Sequence, residues 1–286
     1  MQLTGKTRVL GIFGDPVAHS MSPAMQNQAL QQAGINAVYV PFHVSVEQLP
    51  QAVAAIRSLG LWGVNVTVPH KEAVCALLDD IDPAARLIGA VNTIVNRQNR
   101  LIGYNTDGLG FLRALAEDLR LYPVDQRILL MGAGGACRAA LVSLCQAGAS
   151  WVGIANRTRT RAEALVKEFG AIFPEVGFEF FGIEKEELRQ ATKNIDLLAN
   201  TSAVGLKGEA FNDLPWAELR EDVAIYDMVY SQSGTPLVHE AMRRGHRASN
   251  GLGMLAGQGE EAFALWTGDK PSGGLMKRCL LSELIA

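Results

Sequence analysis

Short apolar runs alternate with amphipathic stretches along nearly the whole chain, the signature of strands interleaved with helices. Residues 9–13, 37–44 and 63–68 read as strands, and 22–33, 46–59 and 71–78 as the helices that follow them. The helix at 22 opens Ser-Pro, which predicts Ser22 as N-cap and Pro23 at the first helical position. Two short strands, 90–96 and 100–104, flank a turn at Gln98-Asn99, and a helix over 108–119 follows. At Arg127 the pattern restarts with strand, glycine loop and helix, then a strand over 151–155 and a helix over 160–169. Residues 195–199 and 223–228 read as two more buried strands, and the tail carries helices over 254–267 and 275–285. This alternation predicts an α/β fold of two α/β domains, the first with a mainly parallel sheet, joined near Asn105-Thr106-Asp107. Pattern alone does not say on which domain the last two helices pack.

Composition narrows the class. The 286 residues give room for one large or two moderate domains, and 48% hydrophobic with 19% charged residues is a globular balance. A net charge of -3 argues against a nucleic-acid or membrane-surface partner. The N-terminal sequence lacks a secretory signal pattern and no apolar run reaches bilayer length, so a cytoplasmic protein is expected. Cys75, Cys137, Cys145 and Cys279 are scattered and read as reduced thiols. Neither they nor the five histidines show metal-ligand spacing, so no metal is expected.

Arg127-Ile-Leu-Leu-Met131 followed by Gly132-Ala133-Gly134-Gly135-Ala136-Cys137-Arg138 reads as strand, tight loop and helix start. Glycines let the backbone approach a pyrophosphate, and the N–H groups of the helix start attract it. Cys137 stands where the third glycine of G-x-G-x-x-G is expected, so on this motif alone a tight turn with no ligand stays open. The next strand narrows the choice. A unit that binds NAD usually ends it with an acid against the ribose 2′-hydroxyl. Here it ends Asn156-Arg157-Thr158, with Arg159 and Arg161 beyond and no acid before Glu163. Guanidinium groups pair with phosphate, and basic residues that open a helix oppose its dipole unless an anion is present. The expected cofactor is therefore NADP.

Residues 63–71, Gly-Val-Asn-Val-Thr-Val-Pro-His-Lys, put Val64, Val66 and Val68 on one face and Asn65 and Thr67 on the other. Lys71 then falls just past the strand's end, where open α/β sheets bind ligands. Asp107 lies at a helix start after the strand 100–104 and reads either as an N-cap or as the partner of Lys71 in proton transfer.

The segments Gly14-Asp-Pro-Val-Ala-His-Ser20-Met-Ser22-Pro23, Asn65-Val-Thr67-Val-Pro-His-Lys71, Gly89-Ala-Val-Asn92-Thr93 and Asn105-Thr106-Asp107-Gly108 resemble the shikimate dehydrogenase family. So do Gly132-Ala-Gly134-Gly135-Ala136, Asn156-Arg157-Thr158, Asn200-Thr-Ser-Ala-Val-Gly205, Asp227-Met228-Val-Tyr230 and Gly251-Leu-Gly-Met-Leu-Ala-Gly-Gln258. The matches run in order through nearly the whole chain. The resemblance implies a substrate-binding domain over 1–106, with 252–286 packing back on it, and a Rossmann-type NADP-binding domain over 107–251. It implies reversible reduction of 3-dehydroshikimate to shikimate with NADPH, in aromatic amino acid biosynthesis.

By the same resemblance Lys71 and Asp107 form the catalytic dyad, and Ser20 and Ser22 hold the substrate carboxylate. Thr67, Asn92, Asp107, Tyr230 and Gln258 bind the ring hydroxyls, with Asn65 nearby. Gly132, Ala133, Gly134, Gly135, Ala136, Asn156, Arg157, Thr158 and Arg161 hold the cofactor, and Met228 and Gly251 lie along its nicotinamide. Three departures bear on this: Asn200-Thr-Ser-Ala where Asn-Ala-Thr-Ser/Pro is usual, a longer segment after Tyr230, and Pro83 where relatives carry an acid. The substrate carboxylate meets no arginine in the first loop, which leaves the N-terminus of the helix at 22 to supply positive potential. Ser20 reads alternatively as a turn residue, and His19 as a structural hydrogen-bonding residue. Monomer and homodimer both remain open. The rival readings are a quinate/shikimate enzyme that uses NAD and a catalytically silent NADP-binding module.

Overall fold

The computed structural model describes residues 3–231 and 234–285. It divides into two compact units: the described residues up to Gly110 with those from Leu255 on, and Phe111–Met254.

The first unit begins with β1 (Arg8–Gly14), α1 (Ser22–Gln32), β2 (Ala37–His43), α2 (Leu49–Ser58) and β3 (Gly63–Val66). It continues with β4 (Asp80–Ile81), α3 (Pro83–Ile88), β5 (Thr93–Arg97) and β6 (Arg100–Tyr104). The strands form one sheet in the order β2-β1-β3-β5-β6-β4. β1 is parallel to β2 and β3, and β4 to β6, whereas β5 is antiparallel to both its neighbours. Consequently the C-terminal ends of β1, β3 and β6 share one edge with the N-terminal end of β5. Whatever follows β3 and β6, and whatever precedes β5, is delivered to the same place. Phe13, Val53, Ile56, Val64, Ile94 and Leu101 fill a core on this sheet, each fully buried aliphatic side chain contributing about 1.5–3 kcal/mol.

Four local expectations are corrected. Ser22 is the first helical residue rather than the N-cap; Met21 holds that position already in a helical conformation, and Ser20 Oγ accepts the Ser22 N–H at 3.3 Å. β3 stops at Val66, and Val68 is 67% exposed, because Pro69 has no N–H to continue a ladder. The helix expected over 71–78 is a 3₁₀ turn over Ala73–Leu77. The strand expected from 90 starts at Thr93, since Val91 N–H and Asn92 N–H are drawn to Lys71 O and Tyr104 O.

α4 (Asp107–Leu119) leads on to β7 (Arg127–Met131), α5 (Gly135–Gln146), β8 (Trp151–Ala155), α6 (Arg159–Ile172) and β9 (Gly177–Phe181). α7 (Lys185–Ala191), β10 (Leu197–Asn200), β11 (Ala224–Asp227), α8 (Pro236–Arg243) and β12 (Ala248–Ser249) follow. Every pairing in this second sheet is parallel, in the order β12-β11-β10-β7-β8-β9. Read from β9, that is the 3-2-1-4-5-6 order of dinucleotide-binding sheets, with the reversal between β7 and β10. Leu129, Trp151, Phe181, Leu198 and Ile225 lie in its core.

α9 (Leu252–Thr267) and α10 (Leu275–Ile285) close the chain. From Leu255 on they belong to the first unit, where the Trp266 indole donates to Ile94 O at 3.0 Å and the Gln26 amide to Gly259 O at 2.9 Å. No helix among the described residues is long and apolar enough to cross a membrane.

Candidate active site

The shared edge of the first sheet brings Lys71, Asn92 and Asp107 together from three separate segments. Lys71 Nζ lies 2.7 Å from Asp107 Oδ2. Asn92 Nδ2 donates to the other carboxylate oxygen, Oδ1, at 2.8 Å. The Asp107 side chain is mostly buried, whereas that of Lys71 is about one-third exposed. A largely buried carboxylate is thus held on both oxygens while its ammonium partner reaches solvent, an arrangement suited to passing a proton. Asp107 is the first residue of α4, and Asn105 Oδ1 takes its N–H at 3.0 Å, so Asn105 leaves the aspartate side chain for Lys71.

Asn65 is buried beside this pair, its Nδ2 donating to Asn92 O and to Thr93 Oγ1, each at 3.0 Å. Ser20 and Ser22 sit at the start of α1, Ser22 buried and Ser20 partly exposed. Thr67, half-buried, packs its methyl against Gly14. Gln258 is turned onto its own helix, donating to Leu255 O at 2.9 Å. Sequence reasoning did not single out Thr93, Thr106 or Tyr39, which are buried in the same polar cluster. A tyrosine at an inward strand position is the signal for the last, because a buried phenol needs a partner. No group of residues able to hold a metal occurs among the described residues.

In the second unit Gly132 directly follows β7 at φ +122, and a Cβ there would stand 3.0 Å from Ser202 Cβ and Thr201 Oγ1. Both the backbone angle and the close approach require glycine. Above Gly134 the space is open, and α5 starts at Gly135, with Ala136 in its first turn and Ala133 in the loop before it. Next to this loop is a cavity of about 450 Å³ lined by Gly132, Asn156, Arg157, Ser202 and Val204 among others.

The basic residues after β8 differ in their commitments. Arg159 bonds Glu187 at 3.3 Å and covers the Phe180 ring. Arg157 and Arg161 are exposed and have no ion-pair partner among the described residues. Asn156 Nδ2 bonds Thr158 O at 2.9 Å, shaping the turn between them. Arg157 thus presents uncommitted guanidinium donors on the cavity wall, and the donor set fits a dinucleotide with an added phosphate.

Further along, Gly251 N–H bonds Val229 O at 3.2 Å, and a Cβ on Gly251 would lie 2.1 Å from Met228 O. Met228 and Gly251 are thus brought together. Tyr230 is half-buried, and burial raises its phenol above the ordinary range.

Three family models match the chain: the shikimate dehydrogenase substrate binding domain over residues 12–94, shikimate / quinate 5-dehydrogenase over 115–201, and the shikimate 5'-dehydrogenase C-terminal domain over 251–280. A shikimate dehydrogenase (NADP(+)) of Geobacter metallireducens is 51% identical over 284 residues, covering 99% of each chain. Among solved structures, a shikimate 5-dehydrogenase of Listeria monocytogenes in complex with shikimate and NAD superposes with a TM-score of 0.91 at 34% identity, covering 98% of both chains. A shikimate dehydrogenase in complex with NADP+ superposes with a TM-score of 0.90 at 38% identity, covering 99% of this chain and 98% of the other.

Proposed function

The chain belongs to the shikimate dehydrogenase family, and on that premise we propose how its residues carry the reaction. The enzyme is an oxidoreductase that uses NADP and interconverts 3-dehydroshikimate and shikimate, a step of aromatic amino acid biosynthesis. The observation that carries the residue assignment is the Lys71–Asp107 pair, 2.7 Å apart at the sheet edge shared by the C-terminal ends of β3 and β6.

The bound cofactor supplies or takes the hydride. Lys71 and Asp107 supply or take the proton at the oxygen on C3, which is a ketone in one substrate and a secondary alcohol in the other. Asn92 holds the Asp107 carboxylate and, with Asn65, Thr67, Tyr230 and Gln258, offers donors and acceptors to the ring hydroxyls. Ser20, Ser22 and the N-terminus of the eleven-residue α1 receive the substrate carboxylate. The first unit is read as the substrate-binding domain and the second as the cofactor domain. Gly132 through Ala136 face the pyrophosphate, and Asn156, Arg157, Thr158 and Arg161 the adenosine 2′-phosphate. Met228 and Gly251 lie along the nicotinamide.

The partners in this reading are small molecules alone, with a chain that works as a monomer or homodimer in the cytoplasm. The unpaired state of all four cysteines supports that compartment. Steady-state rates with NADP and NAD, each with shikimate and quinate, test the assignment. NADP with shikimate is expected to give the highest kcat/KM. Equal use of both cofactors would remove the role given to Arg157, and NADP binding without shikimate-dependent absorbance change would favour a silent module.

A further inference from the structure

Tyr39 lies on β2, an edge strand two strands away from the end of β3, yet its hydroxyl is joined to the acid–base pair by an unbroken series of buried hydrogen bonds. It donates to Asn65 Oδ1 at 2.7 Å. Asn65 Nδ2 donates to Thr93 Oγ1 at 3.0 Å, Thr93 Oγ1 to Asn92 Oδ1 at 2.9 Å, and Asn92 Nδ2 to Asp107 Oδ1 at 2.8 Å.

The donor direction is fixed by backbone groups that have a single role. Asn92 O accepts from Asn65 Nδ2, which leaves Asn65 Oδ1 facing the phenol. Thr106 N–H donates to Asn92 Oδ1 at 2.9 Å, which leaves Asn92 Nδ2 facing the carboxylate. Every donor therefore points the same way, and the last one reaches the Asp107 oxygen that Lys71 does not hold. Tyr39, Asn65, Asn92, Thr93 and Thr106 are all buried, and bonds in such a series reinforce one another.

We propose that Tyr39 is a positioning residue for the Lys71–Asp107 pair: its hydroxyl anchors Asn65 and, through Thr93 and Asn92, fixes the placement of the Asp107 carboxylate. The role rests on the reading of Lys71 and Asp107 as the acid–base pair. Burial pushes the Tyr39 phenol well above the ordinary range, opposed by a hydrogen bond with Ser22, so the hydroxyl keeps its proton and remains a donor. The ring itself packs against Trp266, with centroids 6.0 Å apart, and Tyr39→Phe preserves that contact.

The test compares wild type, Tyr39→Phe, Thr93→Val and the double variant. Each single variant is expected to lower kcat about 3–30-fold, and the double variant to lose little more than either alone. Thr93→Val cuts the same series at its middle and serves where Tyr39→Phe does not fold.

The side-chain amide resonances in ¹⁵N,¹H spectra give a readout that needs no turnover. In Tyr39→Phe the Asn92 amide shifts although Asn92 does not touch Tyr39. The Asn27 amide, which bonds Tyr39 O at 2.8 Å, stays in place. An unmoved Asn92 amide, or an unchanged kcat in both single variants, overturns the proposal; so does an Asn27 amide that moves along with Asn92, which marks a displaced strand. Wild-type protein inactive on shikimate would instead sink the catalytic reading, while the Asn92 amide still decides whether the series acts as a unit.

Discussion

Asn200 and Asp227 stand opposite each other at the ends of β10 and β11, and the Asn200 amide donates to Asp227 Oδ1 at 2.8 Å. The same amide holds Val204 O, and Asn200 Oδ1 takes Ser202 N–H, so this one pair ties down the loop that backs Gly132. Asp227 also takes the Val229 N–H at 3.0 Å, which fixes the start of the segment that carries Tyr230.

Burial raises the Asp227 carboxyl above the ordinary range, against the hydrogen bonds from Thr235, Val229 and Asn200. The folded state therefore holds this proton more tightly than the unfolded state. Stability from that proton is present below the ordinary carboxylate range and is lost as pH rises through the raised value. Asp227→Asn removes the titration. The melting temperature of wild type relative to the variant is expected to be highest below about pH 4 and to fall as pH rises. A change of about 1 kcal/mol moves the midpoint by roughly 2–4 °C, enough to follow by thermal melts across pH. A difference that grows with pH would assign the carboxylate, not the acid, to the folded state.

Arg157→Ala is expected to weaken NADP binding by about 1.5–3 kcal/mol, the range for a hydrogen bond to a charged group, and to leave NAD nearly unchanged. The neighbouring Arg159 does not replace it, because that guanidinium is engaged by Glu187 and Glu163 and lies on Phe180. Titration of both cofactors by fluorescence checks the difference. Equal losses for the two would make Arg157 a structural residue.

The fold class and the two-unit organisation were legible because strand and helix periods alternate cleanly in the buried elements. The placement of Lys71 and Asp107 just past strand ends was legible because each follows an apolar strand that ends abruptly. β4, α3, β9, α7, α8 and β12 were not. β4 is two residues long, and β9 lies at the edge of its sheet with two of its five residues exposed, so hydrophobic periodicity is weak. Ser22 was misplaced by one residue because a Ser-Pro pair reads as cap and first turn, whereas Met21 already adopts helical angles. Tyr39 escaped notice for another reason. Its partner Asn65 is 26 residues away, and only the β2-β1-β3 order puts the two side chains in reach.

Gly251→Ala is expected to destabilise the protein by about 1–3 kcal/mol, the usual cost of overpacking. The added methyl is directed at a backbone carbonyl, Met228 O, which has no rotamer by which to move aside. Because Met228 and Gly251 are assigned to the nicotinamide, affinity for NADP and NAD should fall in parallel, in contrast to Arg157→Ala. Thermal melts and paired cofactor titrations check this. A stable variant with unchanged affinities would show that the Met228 backbone yields without consequence.

Lys71→Ala is expected to lower kcat by about 10²–10⁴-fold, the range for a lost acid–base group. The aspartate keeps its Asn92 bond, so the buried carboxylate remains satisfied on Oδ1 and the fold should persist. NADP affinity should be nearly unchanged, because the residues assigned to that cofactor all belong to the second unit and Lys71 to the first. Rates with saturating shikimate and a separate NADP titration distinguish the effects. Loss of kcat together with loss of NADP affinity would point to misfolding, and an unchanged kcat would remove Lys71 from the proton transfer and leave Asp107 to act through water.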